Sequence, residues 1–184
     1  MQLGNLKILP ALDQLDQVSL PTKKFLSENQ NIAKDVSVAV IDPNFSDTAN
    51  FCSHYEVPTS QTVNCVIVEA TRADRKWLVA CLVLGTTRVD VNGLVRKHLG
   101  ARKVSFAAMD TAVKESGMEY GGITAVGLPE TSPILIDSKI AALDAVVLGS
   151  GVRGSKLVTS GKTLAQLPNA VLLENLGREV IANT

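Results

Sequence analysis

Two glycine-rich segments hold most of the residues that could do chemistry in this chain of 184 residues. One, EYGGITAVGLPETSPILID (residues 119–137), packs three glycines and two prolines among the apolar residues Ile123, Val126 and Leu128. Helices exclude that composition, and a plain surface loop has little use for those side chains. The other, GSGVRG (residues 149–154), matches G-x-G-x-x-G, follows a strand-like run, and has Glu174 twenty residues after Gly154. A dinucleotide site needs those glycines to open a helix whose N-terminus holds the pyrophosphate. The next residues, SKLVTSG, are β-branched and broken by Gly161, so no helix starts. A P-loop fails as well, because Lys156 stands one place late and a strand follows.

Side-chain catalysts are scarce. His54 and His98 are the two histidines, each inside a predicted helix and neither paired with an acid at metal-ligand spacing. Cys52, Cys65 and Cys81 lie 13 and 16 residues apart, an odd count without a C-x-x-C pair, which argues against disulfides and zinc. They are expected to be small buried hydrophobes in a reducing cytoplasm. No metal or cofactor is expected, and an enzyme built from these residues works without a conventional side-chain nucleophile. The formal charge is zero, yet residues 71–103 carry eight Lys/Arg against two Asp/Glu. That local excess suits either a polyanion or a solvated surface.

These residues must be held by a globular domain: 46% hydrophobic and 20% charged residues are ordinary values for one. Aromatics make up only 4%, so the core is aliphatic, and exposed rings for base stacking are not expected. The longest apolar run, residues 77–84, falls far short of the ~20 residues of a membrane-spanning helix, and the N-terminus lacks a secretory pattern. A helix is predicted within residues 20–36 with Thr22 as its cap, then a strand over 36–42. A short helix capped by Ser46 or Asp47 follows. VNCVIVEA and KWLVACLVL form a central hairpin. Asp90 opens a helix stopped by Gly100, KVSF is a strand, and another helix stops at Gly117. PILI is a strand, Asp137 caps SKIAAL, and AVVLG, KTLAQL and AVLLE complete the alternation. Short helices alternating with partly hairpin-linked strands predict a mixed α/β domain with a partly antiparallel sheet.

In their order and spacing, six features resemble the YbaK/EbsC family of aminoacyl-tRNA editing domains, which includes the prolyl-tRNA synthetase insertion domain. They are the acid-then-Thr helix start at Asp47-Thr48, NCVIV, DVNGLVRKHLGARKVSFA, Gly-Gly-Ile-Thr, PILID and Gly-Ser-Gly-x-Arg-Gly. The resemblance implies a curved mixed sheet or barrel-like core flanked by short helices. It places a YbaK-like editing domain at residues 42–184, with residues 1–41 as an N-terminal helix and first strand packed on it. It implies a free-standing deacylase that hydrolyses the ester of a mischarged tRNA. In such families a glycine loop stabilises the oxyanion and the substrate's ribose hydroxyl assists water.

Carried over residue by residue, the resemblance implies Gly149, Ser150 and Gly151 as the oxyanion and ribose loop, with Asn64 beside them as a catalytic position. It implies Thr48, Gly121, Gly122, Ile123, Ala125 and Asp137 around the aminoacyl group, and Arg153 and Lys156 on tRNA phosphates. The expected partners are the aminoacylated 3′ end of tRNA and an aminoacyl-tRNA synthetase, with no membrane. Two positions depart from the family pattern. Asn64 stands where the family often has a lysine, and an amide supplies no positive charge. Ala125 stands where the family's G-x-x-x-P has proline. A catalytically silent tRNA- or aminoacyl-binding module is therefore the alternative.

Overall fold

The computed structural model describes residues 3–179, so the expected domain limits at 1 and 184 lie outside the described residues. Strand β1 (Ile8–Pro10) leads to helices α1 (Leu20–Glu28) and α2 (Gln30–Ala33) and strand β2 (Ser37–Val40). Helix α3 (Thr48–Tyr55) precedes the long hairpin of β3 (Val63–Arg72) and β4 (Arg75–Leu84), then β5 (Thr87–Val89). A π-type turn (Val91–Val95) runs into α4 (Arg96–His98), β6 (Lys103–Phe106) and α5 (Met109–Ser116). The chain continues through β7 (Ile134–Asp137), α6 (Ser138–Ala141), β8 (Val146–Gly149), β9 (Ser155–Thr159), α7 (Gly161–Leu164), β10 (Ala170–Leu173) and β11 (Gly177–Glu179).

Two main sheets form, ordered β1-β2-β9-β8 and β10-β7-β4-β3-β6, with a small β11-β5 pair. The first is antiparallel throughout, and the second mixes a parallel half (β10, β7, β4) with an antiparallel half (β4, β3, β6). A single parallel bridge, Thr62 to Val147, connects the start of β3 to β8 and joins the sheets at one corner. The result is the mixed α/β architecture expected, curved but not closed into a barrel.

Period-two alternation explains the packing. Along β4, Ala80, Leu82 and Leu84 join the core with Leu26, Val38, Ile136, Leu148 and Leu157, which fills the space between the sheets. Val79, Cys81 and Val83 face the other way, onto Val95, Val104 and Leu176. The β3 partners follow the same parity, Cys65 and Ile67 on the first face and Val66 and Val68 on the second. A strand buried on both sides explains why KWLVACLVL is a continuous apolar run. The N-terminal segment takes part in this core, since β2 pairs with β9 and carries Val38 into it.

Two local expectations are corrected, and three strands are added. Ser19, not Thr22, caps α1: its hydroxyl accepts from Thr22 N, while the Thr22 hydroxyl, inside the helix, donates to Val126 O. The helix expected after Asp90 begins as a π-type turn, because both Asp90 oxygens accept backbone N–H groups, from Gly93 and Leu94. Finally, β1, β5 and β11 have three residues each, too few for alternation to mark them in sequence.

Candidate functional site

An open cavity of about 690 Å³ occupies the wedge where the two main sheets part. Its position follows from the pairing of β3. On one side β3 pairs with β4 over its whole length. On the other it pairs with β6 only from Val68 to Thr71, with one further bond from Ala107 N to Ile67 O, and meets β8 only at the Thr62 bridge. Residues 63–66 therefore present an edge without a ladder partner, and they line the cavity opposite Val147, Leu148 and Gly149 of β8. Helix α3 covers one end, and the loop carrying Tyr120, Gly121 and Ile123 covers another.

Polar groups in the wall are graded by depth. The most buried are Ser46, 2% exposed, Thr62, 4%, and Lys156, 9%. Lys156 Nζ donates to Ser46 O at 2.7 Å and lies 5.3 Å from the centre of the Phe51 ring. Desolvation by this burial, reinforced by the Arg153 charge, pushes the amine down to about 8, against opposing pulls from Asp47 and Cys52. Half-buried Thr48 donates from Oγ1 to Asn64 Oδ1 at 2.8 Å. At the surface stand Asp47, whose carboxylate caps α3, and Arg153. Hydrogen bonds from Asn50 backbone and side chain hold the Asp47 carboxyl below its usual range.

The loop between β8 and β9 is fixed by its own bonds. The Ser150 hydroxyl donates to Ser155 O at 2.9 Å and accepts from Ser155 Oγ at 2.7 Å. Gly151 N donates to Gly122 O at 2.7 Å, linking the two glycine segments directly. Gly151 has φ +87°, and a Cβ there would lie 2.0 Å from Ser19 Oγ, so only glycine fits. At Gly149 a Cβ would meet Gly122 O at 2.4 Å.

Of the residues expected in the site, the structure brings Asn64, Thr48, Gly121, Ile123, Gly149, Arg153 and Lys156 to the cavity wall. It does not bring the other five there. Ser150 is buried with its hydroxyl turned to Ser155, and Gly151 has its N–H committed to Gly122. Gly122 packs against Val152 backbone, where a Cβ would lie at 2.5 Å. Ala125 belongs to the core between the sheets. Asp137 is buried under β11, accepting Gly177 N with one oxygen and capping α6 at Lys139 N with the other. These residues shape the loops and the core instead of touching the cavity.

Sequence reasoning missed the depth of Lys156 and the roles of Ser46, Phe51, Phe106, Met109 and Tyr120, all of which line the cavity. Phe106, Met109 and Tyr120 are 66%, 52% and 61% exposed and form an apolar rim. The low aromatic content gave no hint that two exposed rings would gather there. Neither histidine lines the cavity, and His54 stacks on Phe45 with centroids 3.8 Å apart. Cys65 does line it, but burial, with a smaller push from Cys81, raises its thiol far above neutral pH, so it is no nucleophile. Among the described residues no three His, Cys, Asp or Glu side chains cluster as a metal site, and no helix is long and apolar enough to cross a membrane.

The family model for the aminoacyl-tRNA editing domain matches residues 42–167. Every cavity-lining residue, from Ser46 to Lys156, falls inside that span. Proline–tRNA ligase of Streptococcus pneumoniae strain 70585 is 25% identical over 140 residues, covering 76% of this chain and 22% of the ligase. The same enzyme from strain Hungary19A-6 is 24% identical over the same length. The chain thus spans under a quarter of the length of these relatives. A crystal structure described as a proposed trans-editing enzyme for prolyl-tRNA synthetase superposes with TM-score 0.73 at 16% identity, covering 89% of this chain and 99% of that one. A hypothetical protein of known structure superposes equally well, at 19% identity, over 84% of this chain and 99% of its own. At such identities these two likenesses speak for the fold.

Proposed function

The chain belongs to the aminoacyl-tRNA editing domain family, and on that premise we propose that it is a free-standing hydrolase that cleaves the ester of a mischarged tRNA. One observation carries the proposal: the span matched by the family model contains every residue of the cavity wall, so the pocket lies within the part of the chain that matches the family. The wedge has the features an aminoacyl 3′ end requires. Its floor is apolar with a few convergent polar groups, and its mouth carries exposed flat side chains. Phe106 and Tyr120 offer surfaces on which the terminal base stacks. Arg153 takes the phosphate on this reading, supported by its exposure at the cavity and by the bond from its guanidinium to Pro43 O.

Within the pocket the free edge of β3 and the backbone beside Gly149 supply donors and acceptors for the ester and ribose. Asn64 orients them through its amide, whose oxygen Thr48 has already fixed. Neither a histidine nor a reactive thiol faces the cavity, which suits attack by a water that the substrate's own ribose hydroxyl activates. Discrimination by pocket size alone reaches only ~1–3 kcal/mol per methylene, which gives a second, hydrolytic sieve its rationale. The three free cysteines are in keeping with work in the cytoplasm. The names of the relatives make tRNA for proline, and prolyl-tRNA synthetase as a partner, the first to test.

The test is release of amino acid by purified protein from a panel of mischarged tRNAs, beginning with tRNA for proline. Release many-fold above the spontaneous rate on at least one member is expected. No release across the panel, with binding retained, would support a silent binding module instead.

A further inference from the structure

Lys156 was expected on tRNA phosphates, but its placement suits a different task. It enters the cavity from β9, paired across the strands with Gly149 of the glycine loop, and ends nine-tenths buried. A phosphodiester stays solvated at the mouth, where Arg153 stands exposed; the group that reaches the floor of the wedge is the acyl end of the substrate. Nζ has three N–H donors. One is used on Ser46 O and the ring of Phe51 faces the ammonium, which leaves donor capacity toward the cavity. Beside it lies the second observation. Ser46 Oγ is, among the described residues, a buried side-chain oxygen with no hydrogen-bond partner. A buried hydroxyl left unpaired costs about 1–3 kcal/mol, and this one, in the wall of the open cavity, is available to an oxygen of a ligand that enters it.

We propose that the Lys156 ammonium and the Ser46 hydroxyl together receive the carbonyl oxygen of the aminoacyl ester and hold the negative charge that gathers on it. This rests on the hydrolase reading above. Water oxygen bonds to the ester carbon while the carbonyl π pair moves onto the oxygen facing Lys156. When that pair returns, the bond to the ribose oxygen breaks, and that oxygen takes up the proton the water gave up. The products are the free amino acid and tRNA with its hydroxyl restored, and no other reactant is needed. The ammonium that Asn64 does not supply from β3 is thus supplied from β9, across the same wedge.

Single-turnover release from the mischarged tRNA on which wild-type protein is active tests this, using Lys156→Met and Ser46→Ala in the full chain. Loss of one preorganised oxyanion donor lowers rates by about 10²–10³, so Lys156→Met is expected to lower kcat about 100-fold or more with KM within threefold. Ser46→Ala, a minimal change that keeps the Ser46 carbonyl, lowers kcat roughly tenfold, the effect of losing one neutral hydrogen bond beside the charged donor that remains. The wild-type rate, corrected for spontaneous hydrolysis, falls as pH rises through about 8, and Lys156→Met loses that inflection. A raised, salt-dependent KM with unchanged kcat in Lys156→Met would return Lys156 to a phosphate contact and overturn the proposal. Unchanged kcat in both variants would overturn it too while leaving the hydrolase reading intact. Inactivity of wild-type protein on the whole panel would overturn both.

Discussion

Thr48 Oγ1 donates to Asn64 Oδ1 across 2.8 Å, tying the first turn of α3 to the free edge of β3. The bond fixes the amide oxygen and leaves the amide NH₂ as the donor presented to the wedge. Asn64→Ala is expected to cost roughly 1 kcal/mol of stability and to slow amino-acid release roughly tenfold, the effect of losing one positioned hydrogen bond. Asn64→Asp keeps the acceptor for Thr48 and so keeps stability, yet replaces the amide donor in the cavity wall by a negatively charged acceptor. Its release rate should fall further than that of Asn64→Ala. Denaturant unfolding and single-turnover assays on the two variants check both halves.

Burial of Lys156 predicts a pH dependence of stability. Desolvation first, and the Arg153 charge second, lower the amine from 10.5 to about 8. Between those values the unfolded chain binds more protons than the folded one, so stability rises with pH across that window. Below about 8 the charged, buried amine destabilises the folded state, by on the order of 1–3 kcal/mol. Lys156→Met should therefore be at least as stable as wild type at pH 7, and the wild-type advantage gained between pH 8 and 10 should be absent from it. Denaturant midpoints across pH measure this; a less stable, inactive Lys156→Met would mean that the residue is structural.

The exposed rim predicts a binding effect without a chemical one. Stacking on a base is worth about 1–3 kcal/mol, so Phe106→Ala or Tyr120→Ala should raise KM for aminoacyl-tRNA roughly tenfold with little change in kcat. Both side chains are mostly exposed, so thermal unfolding should hardly move. Steady-state kinetics separates the two parameters.

A further prediction concerns the cationic end of the five-stranded sheet. Arg72 approaches Gly100, Arg102 N bonds Thr71 O, and Lys103 pairs with Thr71, which draws together charges scattered through residues 71–103. If the acceptor stem lies there, Arg102→Glu with Lys103→Glu raises KM for tRNA and flattens its dependence on salt, with kcat retained. Titration of salt against KM checks it.

Much of this arrangement is written locally in the chain. The hairpin, the cap of α3 (one of the two candidates, Ser46 or Asp47), the Asp137 cap of α6 and the Gly117 stop depend on neighbours in sequence and were legible there. So was the importance of the glycine segments, though for a different reason than expected: Gly151 N bonds Gly122 O, making them a mutual brace whose outer members alone face the cavity. What the sequence hides is depth. Nothing near Lys156 in the chain says that its ammonium turns inward to Ser46, 110 residues earlier, or that Phe106 and Tyr120 meet at one mouth. Those facts follow from the way the sheet that holds β9 and β8 meets β3 at the Thr62–Val147 bridge, a long-range contact with no local signature.

The most direct measurement is release of amino acid from mischarged tRNA for proline and a panel of other mischarged tRNAs by the wild-type chain and by Lys156→Met. Rapid release by the wild type, with a kcat about 100-fold lower and a near-unchanged KM in the variant, is the result predicted. Wild-type protein that binds these tRNAs but leaves every ester intact would contradict it.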